Sequence, residues 1–280
     1  MATMKEKTFD TGLGSIHYWL TPVEEDRPTL VLLPGLTATH VLFDRQVDWF
    51  RNKANVLVWD APGHGASKPF LLQFTMDDMA RWLHGILAAE GIVNPILVGQ
   101  SMGGYIAQAF MDLFPGKTAG FVSIDSCSLK RKYVTAFDIW ALRRVGPVYR
   151  LYPWKALQRA GANGCAVTEY GRKLMREMVG GYSRDEYTAL AAFGYRILAD
   201  ALDSRRQFDI DCPAILICGE KDRAGSAKRY NVRWAREEHL PLHWIKNAGH
   251  NSNTDQPEEV NRIIDQFIAN TWQKHELHEP

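Results

Sequence analysis

The sequence predicts an α/β fold in which helices cover both faces of a mostly parallel sheet, with a helical insertion in the second half of the chain. Short continuous apolar runs, typical of strands buried on both faces, alternate with stretches at helical spacing. The alternation stops between residues 127 and 208, where Gly and Pro break helical patterns and no buried-strand run occurs. A length of 280 residues suits one large domain with an insertion.

The N-terminal elements are expected to be a hairpin and two buried strands. Residues 15–20 alternate in polarity after a glycine turn, which is typical of one strand of a hairpin. Residues 29–33 and 55–59 are continuous apolar runs, so we expect two strands that are buried on both faces. A helix is expected between them, over residues 40–51.

The middle of the chain continues the alternation of helix and strand. A helix is expected over residues 75–90, because Thr75 is a favourable N-cap and two aspartates fall in the first turn. The apolar run at 95–98 predicts the next strand, and a helix is expected after Ser101. Residues 120–124 predict a further strand before the insertion.

The alternation resumes after the insertion and implies a parallel sheet with helices on both faces. The expected elements are a strand at 213–218, a helix at 227–238, a strand at 242–245 and a final helix after Pro257. We therefore predict a core made of residues 1–126 and 209–280, and a helical cap made of residues 127–208.

The most informative motif is Gly99-Gln100-Ser101-Met102-Gly103, which lies between an expected strand and an expected helix. A serine becomes a useful nucleophile only with an exposed position, a neighbouring base and N–H groups for an oxyanion. A strand-to-helix turn supplies the exposed position and the N–H groups. Gly99 and Gly103 fit a turn that leaves little room for a Cβ. The string alone is common in βα loops, but its place between strand and helix favours a nucleophile.

A second cluster supplies the expected oxyanion donors. Pro34-Gly35-Leu36 follows the first long buried strand, at the end where ligands bind in open α/β sheets. A glycine there lets the backbone bend so that an N–H faces the site. We predict that the N–H groups of Leu36 and Met102 stabilise the oxyanion, where the loss of one donor typically costs about 2.7–4 kcal/mol.

Two clusters after later strands supply an acid and a base. Asp222 ends a Gly-Glu-Lys-Asp turn directly after one expected strand, and His250 follows the last one. Histidine has an unperturbed pKa near neutrality, which suits it to move the proton of Ser101. A carboxylate at a strand end can orient that imidazole. The candidate catalytic residues are therefore Ser101, Asp222 and His250.

The three residues occur along the chain in the order nucleophile, acid and histidine, and each follows an expected strand. This arrangement resembles the α/β-hydrolase superfamily in its capped serine hydrolase or esterase type. The resemblance covers residues 9–125 and 209–271, and not the cap. Residues 60–67, Asp-Ala-Pro-Gly-His-Gly-Ala-Ser, also resemble the D-x-P-G-H-G-x-S loop of that superfamily. The resemblance implies the α/β-hydrolase fold, with an eight-stranded type of sheet, and a loop-ordering role for His64.

One departure from the pattern of the superfamily and two alternative assignments stay open at this point. Many members of the superfamily have His-Gly where this chain has Pro34-Gly35, although a backbone donor at Leu36 does not need that histidine. Asp125 ends the strand before the insertion, and some relatives place the acid there, so Asp125 is a second candidate for the acid. His64, which is expected to be exposed, is a minor candidate for the base.

The cap differs from the core in composition. Residues 127–208 hold fifteen Lys or Arg and seven Asp or Glu, a net charge of +8, together with twelve aromatic residues. One interpretation is an aromatic pocket wall that favours anionic substrates, with Trp140 and Trp154 as substrate contacts. The other, which we favour for most of these residues, is a helical lid with its aromatic side chains inward and its basic ones solvated.

The predicted activity is hydrolysis of a small to medium carboxylic ester or a lactone through an acyl-enzyme, with no metal or cofactor. The same residues also suit a carbon–carbon bond hydrolase of a vinylogous diketone, whose anionic ring-cleavage products fit a basic, aromatic cap. A third interpretation is a hydrolase-derived ligand receptor with little turnover. Haloalkane dehalogenases and epoxide hydrolases are disfavoured, because those relatives carry Asp at the position of Ser101.

Composition limits the possible partners and location. The net charge of +1 gives no overall indication of nucleic acid or an anionic membrane as a partner, and no apolar stretch approaches the ~20 residues of a membrane span. Residues 1–7 lack the apolar core of a signal peptide, and four cysteines show neither metal spacing nor a disulfide framework. We therefore expect a cytoplasmic enzyme with a small-molecule substrate, while its oligomeric state stays open.

Overall fold

A single sheet forms the centre of the structure, a computed structural model that describes residues 3–224 and 227–276. Its strands are β1 (Lys5–Asp10), β2 (Ser15–Leu20), β3 (Thr29–Leu33), β4 (Asn55–Trp59), β5 (Ile96–Gln100), β6 (Gly120–Ile124), β7 (Ala214–Gly219) and β8 (Leu242–Ile245). Their order across the sheet is β1-β2-β4-β3-β5-β6-β7-β8.

The strands of this sheet are mostly parallel. β1 and β2 form the expected hairpin, with Lys5 opposite Leu20, and β2 then pairs antiparallel with β4. All pairs from β4 to β8 are parallel, and in the middle Leu32 of β3 lies beside both Val58 and Val98. The mostly parallel, eight-stranded sheet expected from the sequence is confirmed.

Helices connect most of the strands. They are α1 (Asp44–Phe50), α2 (Met76–Ala89), α3 (Met102–Leu113), α4 (Ala136–Leu142), α5 (Val145–Leu151), α6 (Trp154–Cys165), α7 (Glu169–Gly180), α8 (Arg184–Asp203), α9 (Ala227–Glu237), α10 (Ser252–Asp255) and α11 (Pro257–Glu276). Thr75 caps α2 as predicted, since its side chain accepts the N–H of Asp78 and the Asp78 carboxylate accepts that of Thr75. The helix expected over residues 40–51 is a 3₁₀ turn followed by α1.

Successive side chains of the central strands enter two apolar cores on opposite faces of the sheet. Leu33 and Leu97 belong to the core that contains side chains of α2, α3 and α9. Leu32 and Val98 belong to the other, with side chains of α1 and α11. Both faces of these strands are therefore buried, which explains why their sequences are continuous apolar runs and do not alternate.

Helices α4 to α8 lie between β6 and β7, in a stretch that is described without gaps and contains no strand. Their apolar side chains join both cores: Met175 and Val179 of α7 belong to one, and Phe193 and Ile197 of α8 belong to the other. Apolar side chains of this segment therefore continue both cores. The boundaries of the cap and its role as a lid stay predictions.

Helices α4 and α5 form the outer layer of this segment. A Cβ at Gly146 of α5 would lie 2.7 Å from the Cβ of Ala192, so α5 packs closely on α8. Arg143, just after α4, donates to Asp200 of α8 at 3.0 Å. The opposite side of α8 meets the core, because a Cβ at Gly194 would overlap the side chain of Leu36. Helix α8 thus separates the outer layer from the core.

Two features of the sequence, its lack of a membrane-spanning stretch and its cysteines, lead us to expect a cytoplasmic location. Among the described helices, we find none with the length and apolarity that a bilayer crossing requires. Cys127, Cys165, Cys212 and Cys218 are free thiols, as the sequence predicts. The cytoplasmic location stays a prediction, and the outer limits of the predicted core, residues 1 and 280, lie outside the described part of the chain.

Candidate active site

Ser101 occupies a strained turn between β5 and α3. Its backbone has φ 49° and ψ −116°, a conformation that L-residues rarely adopt and that typically costs about 1–3 kcal/mol. A Cβ at Gly103 would overlap the carbonyl of Leu33, and one at Gly99 would overlap the backbone of the helix start. The two flanking glycines are therefore required by close backbone approach, as the sequence predicts.

A hydrogen-bonded relay runs from this serine through a histidine to a carboxylate. The Oγ of Ser101 lies 2.8 Å from the Nε2 of His250, and the Nδ1 of His250 lies 3.0 Å from the Oδ2 of Asp222. Both distances are within reach of proton transfer. The structure therefore brings together the three residues that the sequence singles out, although they are far apart along the chain.

The turn that carries Asp222 is in direct contact with the loop that carries His250. A Cβ at Gly219 would overlap the carbonyl oxygens of Ala248 and Gly249, so no larger residue fits there. The other carboxylate oxygen of Asp222 accepts the N–H of Ala224 at 2.8 Å. Both oxygens are thus occupied, which fixes the carboxylate in the orientation that meets the imidazole.

Asp125, the second candidate for the acid, lies next to this relay but bonds elsewhere. Its Oδ1 accepts the N–H of Gly219 at 2.7 Å, and its Oδ2 accepts the N–H of Ser252 at 2.8 Å. The side chain is buried. Asp125 therefore ties the loop that begins at Gly219 to the loop after His250, while the carboxylate hydrogen-bonded to the imidazole is that of Asp222.

The two neighbouring carboxylates set the proton affinities of the site. Burial and then the negative charge of Asp222 raise the pKa of Asp125 to about 7. Burial disfavours the charged form of His250, but the carboxylates of Asp222 and Asp125 outweigh it and raise the pKa of His250 above its usual value. His250 is consequently a stronger base than an isolated imidazole.

The candidate oxyanion donors lie at the same strand ends. Met102 is the first residue of α3, so its N–H has no acceptor within the helix. The N–H of Leu36 donates to no described residue. A Cβ at Gly35 would lie 3.0 Å from the Cβ of Ser101, which shows how closely the turn after β3 approaches the nucleophile. Glycine is required there, and the Pro34-Gly35 pair is compatible with a backbone donor.

Gln100, the residue before the nucleophile, has a role that the sequence reasoning missed. Its Nε2 donates to the carbonyl oxygen of His250 at 2.9 Å and to the Oδ1 of Asn251 at 3.2 Å. The turn that carries Ser101 is therefore bonded to the loop that carries His250 through the side chain of Gln100 as well as through the relay. Its position inside the motif is the one signal in the sequence that could have indicated this role.

Asp255 is a second missed residue, and it connects the histidine loop to the cap. Its carboxylate accepts the N–H of Gly249 at 2.8 Å, the N–H of Val167 at 2.9 Å and the N–H and hydroxyl of Thr168 at 2.8 and 2.6 Å. Nearby, Asn251 donates its N–H to the carbonyl of Cys165 at 2.8 Å. The connection between α6 and α7 is therefore bonded to the segment that carries His250.

His64 is not exposed, which corrects the expectation from the sequence. It is 4% exposed, and its Nδ1 lies 3.0 Å from the carbonyl oxygen of Pro62. Burial lowers the pKa of His64. In the same loop the carboxylate of Asp60 accepts the N–H of His40 at 2.6 Å and that of Ala66 at 2.7 Å. These contacts order the loop and leave the relay to His250.

The two tryptophans proposed as substrate contacts lie in different surroundings. Trp154 packs on Tyr187, with ring centroids 5.3 Å apart, and Tyr187 also lies near Tyr149 and Tyr182. Trp140 is 52% exposed on α4, where its ring lies beneath the guanidinium of Arg144. Trp154 thus lies among other aromatic side chains and Trp140 lies at the surface, and both roles stay predictions.

One group of buried side chains has the composition of a metal site. The ligand atoms of Asp125, Cys218 and Asp222 lie within 4.8 Å of one another. Both carboxylates already accept hydrogen bonds on each oxygen, and burial raises the pKa of the Cys218 thiol, which keeps it protonated. The carboxylates are engaged in these hydrogen bonds and the thiol is protonated, so we assign no metal to the group.

Known proteins similar to this chain include several hydrolases. The sequence model described as the alpha/beta hydrolase family matches residues 30–263. The uncharacterized hydrolase YugF of Bacillus subtilis is 27% identical over 251 residues, 86% of this chain and 90% of that protein. A 2-hydroxy-6-oxononadienedioate/2-hydroxy-6-oxononatrienedioate hydrolase of Paraburkholderia phymatum is 37% identical over 112 residues, 38% of each chain. In fold, the chain is similar to a thermophilic esterase of Thermogutta terrifontis, with a TM-score of 0.73, 22% identity and coverage of 96% and 99% of the two chains.

Proposed function

This chain belongs to the alpha/beta hydrolase family, and on that premise we propose that it is a serine hydrolase that cleaves a small to medium carboxylic ester or a lactone. One observation carries the proposal. The Oγ of Ser101, both ring nitrogens of His250 and the carboxylate of Asp222 form an unbroken series of hydrogen bonds. A nucleophile, a base and an orienting acid in that geometry are the requirements of acyl transfer.

In the proposed acylation, the Oγ of Ser101 attacks the carbonyl carbon of the substrate. His250 accepts the serine proton at Nε2, and Asp222 stabilises the resulting imidazolium. The N–H groups of Leu36 and Met102 hold the negative oxygen of the tetrahedral intermediate. His250 then gives its proton to the leaving alcohol, and the acyl group stays on Ser101.

Deacylation repeats these steps with water. His250 accepts a proton from a water molecule, the hydroxide attacks the acyl carbonyl, and the same two N–H groups hold the oxyanion. When the intermediate collapses, His250 returns the proton to the Oγ of Ser101 and the carboxylic acid leaves. All of these steps use side chains and N–H groups of this chain.

Carbon–carbon bond hydrolysis of a vinylogous diketone is a second candidate. It is favoured by the similarity to the Paraburkholderia phymatum protein, which is named as a hydrolase of a dienedioate and a trienedioate. The candidate residues are the same, and the substrate is a carboxylate-bearing ring-cleavage product. We also propose that residues 127–208 act as the cap that selects the substrate, with Trp154 near the acyl group.

The proposal is tested by the time course of p-nitrophenol release from p-nitrophenyl butyrate. We expect a burst equal to the concentration of active sites, followed by steady turnover, because an acyl-enzyme forms and is then hydrolysed. A vinylogous diketone, followed by loss of its absorbance, tests the second candidate with the same protein. Binding of the ester with at most one slow turnover would instead support a ligand receptor and contradict both enzymatic proposals.

The pH dependence of kcat/KM provides a further prediction. Catalysis needs neutral His250, and the pKa of His250 is raised by Asp222 and Asp125, so the acidic limb should lie above pH 6.5, the ordinary value for histidine. Asp125→Asn removes the negative charge that Asp125 carries when ionised, and it should move the limb to lower pH. Asp265→Asn, an exposed aspartate paired with Lys53, is the control and should leave it in place. A limb that moves upward in Asp125→Asn would contradict the assigned electrostatics.

A further inference from the structure

The outer layer of the cap exposes a concentration of large apolar side chains. Of the ten such side chains that are exposed in the described part of the protein, five lie between residues 137 and 152. We call them the outer cap patch: Phe137 (70% exposed), Trp140 (52%), Val148 (47%), Leu151 (84%) and Tyr152 (50%). Single exposed apolar residues are ordinary on protein surfaces, but a contiguous group marks a site of interaction.

The members of the outer cap patch share the exposed sides of two short helices. Phe137 and Trp140 are one turn apart on α4, and their rings stack with centroids 5.7 Å apart. Val148 and Leu151 are one turn apart on α5, and Tyr152 directly follows the end of that helix. Helix α8 lies on the opposite side of both helices, so the patch faces away from the core.

Basic residues surround the outer cap patch. Residues 130–159 contain eight Lys or Arg and one Asp, a net charge of +7, which is almost the whole +8 of residues 127–208. Arg143 is paired with acidic side chains of α8. Lys130, Arg131 and Lys132 are likewise paired, with acidic side chains at 203, 209, 237 and 238. No ion pair within the described residues involves four other exposed cations, which are Arg144, Arg150, Lys155 and Arg159.

Aromatic and aliphatic side chains among cations complement an anionic lipid surface. Apolar side chains enter the boundary between headgroups and acyl chains, while each Lys or Arg near such a surface contributes about 1 kcal/mol. A second copy of the chain would bring two positive patches face to face, which like-charge repulsion disfavours. Nucleic acid would match the charge but would leave Leu151 and Val148 without an apolar partner.

We propose that the outer cap patch docks this protein on an anionic lipid surface. The sequence expectation of no membrane partner followed from the overall charge of +1. That average conceals the separation of charge, because a segment of thirty residues is strongly positive while the remainder of the chain is negative. Docking of this kind needs no spanning helix, and it does not depend on the proposed hydrolase activity.

Co-sedimentation with lipid vesicles tests the docking. We expect the bound fraction to rise when phosphatidylserine is added to phosphatidylcholine vesicles and to fall with added salt. Leu151→Ser and Phe137→Ser should each weaken partitioning at least tenfold, because burial of one large apolar side chain contributes roughly 1.5–3 kcal/mol and each ~1.4 kcal/mol is a factor of ten. Arg150→Glu should weaken binding to anionic vesicles at least fivefold, since about 1 kcal/mol is lost with one cation.

Val232→Ser, on α9, is the matched control, since Val232 is 54% exposed outside the outer cap patch. It should partition as the wild type does. Equal binding to both kinds of vesicle, or wild-type binding by Leu151→Ser and Arg150→Glu, would overturn the proposal. Self-association that the same substitutions abolish would also overturn the proposal. Binding to an acidic protein in place of vesicles, abolished by the same substitutions, would overturn it as well.

Turnover of a water-soluble ester keeps this test separate from the proposed function. Leu151→Ser and Phe137→Ser should hydrolyse p-nitrophenyl butyrate as the wild type does, which also shows that these variants are folded. Wild-type turnover without any vesicle binding would contradict the docking alone. Vesicle binding without turnover in the wild type would contradict the hydrolase proposal alone.

Discussion

Alanine in place of Ser101 is expected to abolish ester turnover while the protein stays folded. The Oγ is the nucleophile in the proposed route, and in another serine hydrolase the loss of this group lowers kcat by about 2 × 10⁶. The side chain lies at a partly exposed turn and packs in neither core, so the melting temperature should change little. The measurements are steady-state turnover of p-nitrophenyl butyrate and thermal unfolding followed by circular dichroism.

The control for this variant is Ser204→Ala, which changes an exposed serine at the end of α8. It should keep wild-type turnover. Ser101→Gly is informative for a different reason, because glycine adopts a positive φ without strain. That variant should be inactive but more stable than the wild type. Near wild-type turnover in Ser101→Ala would rule out the covalent route.

Asparagine in place of Asp222 is expected to lower kcat by about 10⁴, the loss seen for the equivalent change in another triad enzyme. An amide in that position favours the wrong tautomer of His250 and cannot stabilise the imidazolium. Asp125→Asn should cost far less activity, because Asp125 bonds to backbone N–H groups and not to the imidazole. The measurement is kcat for both variants with the same ester.

Asp125→Asn should instead lower the free energy of unfolding. Its new NH₂ group faces a backbone N–H in a buried site, and an unmade hydrogen bond there costs about 1–3 kcal/mol. The melting temperature of Asp222→Asn should be closer to that of the wild type, since Asp222 faces the side chain of His250, which is 12% exposed. An inactive Asp125→Asn beside an active Asp222→Asn would show that the acid has been assigned to the wrong residue.

The sheet could be predicted from the sequence because its central strands are buried on both faces. The runs at 29–33, 55–59 and 120–124 match β3, β4 and β6 residue for residue. The geometry of the relay was also predictable, since Ser101, Asp222 and His250 each follow a strand in a parallel sheet, and those strand ends lie at one edge.

Other parts of the site could not be predicted because buried polar residues carry no periodic signal. The run Asn251-Ser252-Asn253-Thr254-Asp255 has the composition of a solvated loop, yet it holds α10 and is buried throughout. Its polar groups bond across the chain to partners such as Cys165, Val167 and Thr168, which local sequence does not identify. The exposure expected of His64 was wrong for the same reason.

The bonds between Asp255 and the α6–α7 connection restrict how the cap can open. A swing of the whole cap as one rigid lid would break three hydrogen bonds to Asp255 and the one from Asn251 to Cys165, each with a net value of about 1 kcal/mol. It would also displace the loop that carries His250, because Asp255 accepts the N–H of Gly249. In the proposed role of residues 127–208 as a lid, opening would be confined to the helices before Cys165, with that connection as the hinge. The same bonds would couple the proposed lid to the base, since a cap displaced beyond the hinge would move the imidazole of His250 away from Ser101.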